Sequence, residues 1–445
     1  MNKRGKIILI IFLLFISCQF LISQEQVILT LEKTVDIALS QNPYHLASQE
    51  RVDAAKARVR EAAAQFFPSF NAQGTQTLDE KLFYLEFPST IPGQPPQRVE
   101  VDFTRDYQFS FSLNIPLFTS GRLTSGFKQA KFNLLSSKEN VNQSIQQTVF
   151  EAKKSFYGYL LAEKFVRVAE EAVSVARKHL DNVNSLYEVG MASKFDLLRS
   201  EVQVANLNPQ LIQAKNRLEV AELGLKTLLG MDLSDPVEIK GELSYTPVEP
   251  DYEECLEKAY SNRPELKQIN YQNKIARETL KMTRSMGLPS LSVAGNYNFW
   301  ADKFNFKEDT WQDYYSVNLT LLVPIFNGFE TSARLAQNRA MIEELKHTKK
   351  GLKDMIEFEV KQAILNLEEA KESILSQEKN VEQAEESLRI AELNYSEGLA
   401  TTLDVSSAQA ALTQAKTNYS QALYDYMVSL AQLDKAMGVG EDSQR

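Results

Sequence analysis

Tyr107-Gln-Phe-Ser-Phe-Ser-Leu-Asn-Ile115, followed by Pro116, is the stretch that decides the fold. Tyr107, Phe109, Phe111, Leu113 and Ile115 are apolar, while Gln108, Ser110, Ser112 and Asn114 are polar and uncharged. Alternation at period 2 predicts a strand with one dry and one wet face. Tyr315-Ser-Val-Asn-Leu-Thr-Leu321 repeats the phase, and weaker alternators at 69–76 and 291–300 precede the two segments. Uncharged polar positions with aromatics at Tyr107, Phe109, Phe111, Trp300, Trp311 and Tyr315 suit strands that face lipid. A half-buried strand in a soluble sheet alternates in the same way, so both readings stay open at this level. Four strands cannot close a barrel, and open edges are not tolerated in lipid. The membrane reading therefore needs further copies, two giving eight strands and three giving twelve.

Beyond Pro116 the apolar period changes to about 3.6 and holds for a very long stretch. Residues 122–187 contain no Pro, and residues 331–395 form a second such run. Each predicts a helix of ~100 Å at 1.5 Å per residue. Shorter helices are expected at 43–67 and 193–229, which end to end match the long one and suggest antiparallel packing. The chain says all this twice. Pro116, Tyr187, Gly190, Asp196 and Gly230 recur 208 residues later as Pro324, Tyr395, Gly398, Asp404 and Gly438. Pro43 and Pro68 recur 221 residues later as Pro264 and Pro289, so 13 extra residues lie between Pro68 and Pro116. They fall in a Pro-rich loop (Pro88, Pro92, Gly93, Pro95, Pro96), where a barrel leaves loop length free. The organisation expected is a signal peptide at 1–23, a first repeat at 24–230, a linker at 231–251, a second repeat at 252–438 and a tail at 439–445.

The signal peptide is read from Lys3, Arg4 and Lys6, the apolar run 7–16 and small or polar residues near Ser23. Lipidation at Cys18 is an alternative, weakened by Phe20, Leu21 and Ile22 continuing past it. The formal net charge of −9 on 445 residues argues against nucleic acid, whose phosphates are bound by Lys and Arg. No metal ligand set surrounds His45, His179 or His347, and no catalytic motif is present, so neither cofactor nor enzyme activity is expected.

The two turns are Tyr187-Glu-Val-Gly-Met-Ala-Ser-Lys-Phe-Asp196 and Tyr395-Ser-Glu-Gly-Leu-Ala-Thr-Thr-Leu-Asp404. Gly190 and Gly398 fit the left-handed residue that closes a helix. Ser193 and Thr401 fit N-caps, with Asp196 and Asp404 three residues on as in a capping box. Helix initiation accounts for both aspartates; a ring of Asp404 carboxylates around an axis is the competing reading.

With these turns, the opening Leu31-Glu-Lys-Thr-Val-Asp-Ile-Ala-Leu-Ser-Gln-Asn-Pro43 and the strand exits Pro116-Leu-Phe-Thr-Ser-Gly121 and Pro324-Ile-Phe-Asn-Gly328, the chain resembles the TolC family of outer-membrane efflux channels. The resemblance covers essentially the whole mature chain. It implies an α+β membrane protein, a homotrimer with a 12-stranded transmembrane β-barrel and a long antiparallel α-helical coiled-coil barrel. It implies a passive exit duct for efflux or type I secretion, docked at its tips to a periplasmic adaptor (membrane fusion protein) and an inner-membrane pump of RND or ABC type. Docking would fall on the turns around Gly190, Met191, Ala192, Gly398 and Leu399. The family closes its tip with polar links, and here Tyr395, Asp404 and Asp196 match three of the participants. Ala400 stands where the family has an Arg and Ser407 where it has a second Asp, so closure must be achieved differently or less firmly. The competing class is an exported coiled-coil scaffold or adhesin with a soluble sheet.

Overall fold

The computed structural model describes residues 27–78, 83–101, 106–305, 307 and 310–439; the signal-peptide segment, Cys18 and most of the tail lie outside them. In chain order the elements are β1 (Val27–Leu29), α1 (Leu31–Gln41), α2 (Pro43–Ala64), β2 (Ser69–Gln76), β3 (Phe83–Phe87), β4 (Gln97–Val101), β5 (Tyr107–Phe118), α3 (Arg122–Glu188), α4 (Lys194–Leu229), β6 (Val237–Ile239), α5 (Tyr252–Asn262), α6 (Pro264–Ser285), β7 (Ser290–Ala301), β8 (Gln312–Leu322), α7 (Glu330–Ser396) and α8 (Thr402–Ala436). The two long helices, α3 and α7, have 67 residues each. No described helix is long and apolar enough to cross a membrane. Two compact units form: residues 1–50, 140–266 and 351–445 make one, and residues 51–139 and 267–350 the other. The chain passes between them within α2, α3, α6 and α7.

The second unit holds a four-stranded antiparallel sheet in the order β2-β5-β7-β8. Its register confirms the alternation. Phe70 pairs with Leu113, Phe111 with Tyr297, Phe109 with Phe299 and Val293 with Leu319, placing the apolar positions of all four strands on one face. Ser110, Asn298 and Tyr314 lie on the other face, as do Ser112, Asn296 and Ser316. The apolar face is not a core. Tyr315, Val317, Leu319 and Leu321 on β8 are 64–78% exposed. Aromatic rings run across it, with Phe109–Phe299 centroids 5.4 Å apart and Phe109–Trp311 5.6 Å. Trp300 differs from the other expected aromatics: it pairs with Gln108 and Gln312 on the polar face, and its ring lies 5.9 Å from that of Tyr314. Strands β2 and β8 are both edges. The Pro-rich insert carries an element the sequence did not announce, a β3–β4 hairpin with Leu85 opposite Val99 and an Arg98–Glu86 ion pair.

The first unit is built on a helical core in which Phe156, Leu160, Ile356, Val360, Leu367 and Tyr426 are almost fully buried. The linker contributes β6, which pairs in parallel with β1 (Val27↔Val237, Leu29↔Ile239), a link across some 210 residues that no local pattern reveals. The duplication is physical at the helix ends. The Asn42 side chain donates to the Leu228 carbonyl at the end of α4 (2.9 Å), and the Arg263 guanidinium donates to the Ala436 carbonyl at the end of α8 (2.8 Å). Gly230 (φ 68°) and Gly438 (φ 69°) follow those ends in the left-handed region. A Cβ on Gly230 would sit 2.7 Å from the Gln41 carbonyl oxygen, and one on Gly438 2.9 Å from the Arg263 amide nitrogen. Both conditions admit only glycine, which explains why these two positions recur.

Candidate functional site

Each turn in the first unit begins as a helix that must stop and ends as one that must start. At the stop, Gly190 (φ 77°) and Gly398 (φ 73°) turn left-handed. The amides of Met191 and Leu399 reach back to the carbonyls of Leu186 and Asn394, 2.8 Å in both cases. At the start, Ser193 accepts from the Asp196 amide (3.1 Å) while the Asp196 carboxylate accepts from the Ser193 amide (3.3 Å) and hydroxyl (2.6 Å). Thr401 and Asp404 repeat the box at 3.3, 2.8 and 2.7 Å. A helix N-terminus leaves four amides without intrahelical partners, and this box satisfies two donors reciprocally.

The two aspartates are not equivalent. The carboxylate of Asp196 also accepts from the Thr402 hydroxyl of the second turn (3.4 Å), and Thr402 is buried. The Ser193 hydroxyl first, then the Ser193 amide, Thr402 and the Arg199 charge hold the Asp196 carboxyl below the usual 3.8. Asp404 is also lowered, by the Thr401 hydroxyl and amide, and it spends no bond on the other turn. Tyr395 packs against His179 of α3, the rings tilted 60° with centroids 4.9 Å apart. His179 is buried, its Nε2 has no hydrogen-bond partner among the described residues, and burial pushes its pKa down from 6.5.

The structure thus brings Asp196 to the second turn and Tyr395 to α3. Among the described residues Tyr395 makes no hydrogen bond to Asp196 or Asp404. Ser407 is exposed, and Ala400 places only a methyl group at the turn. Gly190, Gly398 and Ala192 shape the loops, while Met191 (77% exposed) and Leu399 (79%) project from them. Sequence reasoning missed Val189, Phe195 and Leu403, which extend this exposed apolar surface, and the pair Thr402–Asp196. A signal for the latter was present: Thr402 stands at the repeat position of Lys194, an exchange of charge for a neutral hydroxyl inside the N-terminal cap.

A family model described as outer membrane efflux protein matches residues 34–231 and 255–439. The alkaline protease secretion protein AprF of Pseudomonas aeruginosa is 25% identical over 359 residues, 77% of this chain and 73% of that protein. The outer membrane protein TolC of Vibrio cholerae is 24% identical over 301 residues, 66% of this chain and 68% of that protein. Among solved structures, the open state of the MtrE outer membrane channel of Neisseria gonorrhoeae superposes with a TM-score of 0.72 at 17% identity, covering 92% of this chain and 89% of MtrE.

Proposed function

The chain belongs to the outer membrane efflux protein family, and from that premise we propose that three copies form an exit duct closed at the turns around Asp196 and Asp404. The family is one of transport channels rather than enzymes, and the protein resides in the outer membrane with a large periplasmic helical part. The observation that carries the duct reading is the sheet: one face predominantly apolar, and 64–78% exposed at Tyr315, Val317, Leu319 and Leu321, the other mostly polar and uncharged, with β2 and β8 both edges among the described residues. An edge strand in lipid leaves a row of amides and carbonyls without partners, each costing several kcal/mol. A soluble scaffold would instead have to leave the apolar face in water.

The tips take a periplasmic adaptor onto the exposed apolar residues Met191, Leu399, Val189 and Phe195, and an inner-membrane pump of RND or ABC type supplies the energy. The resemblance to AprF, a secretion protein, supports protein cargo as well as efflux. Closure uses the Thr402–Asp196 link and the tilted Tyr395–His179 ring contact where Ala400 and Ser407 offer no ion pair. The test is fractionation followed by planar-bilayer recording. The protein is expected in outer membranes and, reconstituted, to conduct with cation preference, given its acidic balance. Recovery in the soluble periplasmic fraction, or anion preference, contradicts the reading.

A further inference from the structure

Charge is distributed unevenly along this acidic chain. The helical segments of the second unit, residues 51–64, 122–139, 267–285 and 330–350, carry 18 Lys and Arg against 7 Asp and Glu, although the whole chain has 49 against 58. Several of those seven acids are already engaged: Asp53 with Lys56, Glu278 with Lys281, Glu330 with Arg334 and Glu343 with Lys346. Part of the surplus lines a groove of about 470 Å³ between α6 and α7, floored by buried Ile269 and Leu345. Its walls carry Lys274 and Arg277 from α6 and Lys349 from α7. None of these three has a carboxylate partner among the described residues.

Like charges at helical spacing repel, and long basic side chains normally relieve this by turning away into water. Here they are held. The Lys349 ammonium donates to the Asn270 amide oxygen at 2.7 Å. The Lys274 ammonium lies 5.5 Å from the Phe132 ring centroid and 5.1 Å from that of Tyr271. Fixing cations together without an anion is pre-organisation for one.

We infer that this groove binds a carboxylate-bearing polyanion, the glycan–peptide polymer of the cell wall. Depth selects the polymer over lipid phosphate. Arg277 and Asn270 lie 8 and 15 residues from the sheet-side end of α6 at Ser285, ~12 and ~22 Å along the helix. A headgroup layer extends only ~5–8 Å beyond the hydrocarbon. The spread of basic residues along four helices likewise fits an extended anion better than a single ion. The inference rests on the outer-membrane placement proposed above.

The experiment uses the intact oligomer purified from outer membranes, so its failure leaves the duct reading standing. The probe is protein-free cell-wall sacculi, pelleted at low and at raised salt. The wild type is expected to co-sediment, less so at raised salt. The triple variant Lys274→Gln/Arg277→Gln/Lys349→Gln is expected to bind about tenfold more weakly, the product of three modest exposed ion contacts. A control variant of the first unit, Lys164→Gln/Arg177→Gln/Lys379→Gln, is expected to pellet as the wild type does. The inference is overturned if the triple variant pellets unchanged, or if the wild type ignores sacculi yet binds phosphatidylglycerol vesicles or inorganic phosphate. It is equally overturned if the triple variant falls apart into single chains, or if it alters only the ion selectivity of reconstituted channels.

Discussion

At the scale of single residues, the two capping aspartates divide their work. Asp196 is tied to the second turn through Thr402, whereas Asp404 bonds only within its own cap and keeps its charge for solvent. Thr402→Val keeps the shape and removes the hydroxyl, so it is expected to raise the open fraction of reconstituted channels without altering cation preference. Asp404→Asn is expected to weaken that preference; unchanged reversal potentials would remove Asp404 from the conducting path. Both carboxyls titrate below 3.8, so their caps hold above that pH and are lost as pH falls through the lowered values. The imidazole of His179 responds earlier. Its folded pKa lies below 6.5, so its contribution to stability is present above 6.5 and declines as pH falls from there. Acidification toward pH 5 is expected to loosen the Tyr395 ring contact, and His179→Gln to abolish that pH dependence of gating, read as channel open probability. The sequence named both aspartates and Tyr395 because the repeat aligns them. It could not name His179, whose partner lies 216 residues away on another helix.

At the scale of elements, legibility followed locality. The strand at 107–115 and the two faces of its residues were readable because alternation fixes which face each residue takes, whereas its pairing with β2 and β7 carries no local signal. The capping boxes were readable because all their bonds span three residues. Strands β1 and β6 were not, since three-residue strands paired in parallel carry no periodic signal. The hairpin β3–β4 hid in a segment marked only by its prolines, and Trp300, expected among the strand-end aromatics, has a register position opposite Gln108 on the polar face. The recurring glycines separate into two kinds. At Gly398 a Cβ would meet nothing within 4 Å, so Gly398→Ala is expected to cost about 1 kcal/mol for the left-handed backbone alone. At Gly438 a Cβ would collide with the backbone at Asn262 and Arg263, so Gly438→Ala is expected to cost about 2–4 kcal/mol. Thermal melting of the two variants checks the ranking, and equal losses would refute the close-approach explanation.

At the scale of the whole molecule, the duplication accounts for what one chain contains and what it lacks. Each half supplies two strands, a long helix and a shorter one, and each ties its shorter helix down at the same left-handed glycine. Yet among the described residues the four strands end in two edges, β2 and β8, and the β8 part of the apolar face is uncovered. The edges pair only if β8 of one copy meets β2 of the next, and three copies give a twelve-stranded wall wide enough to begin enclosing a channel. The most direct measurement is the detergent-corrected mass, by light scattering, of protein extracted from outer membranes. The account predicts three times the mass of the mature chain; a mass of one chain would contradict it.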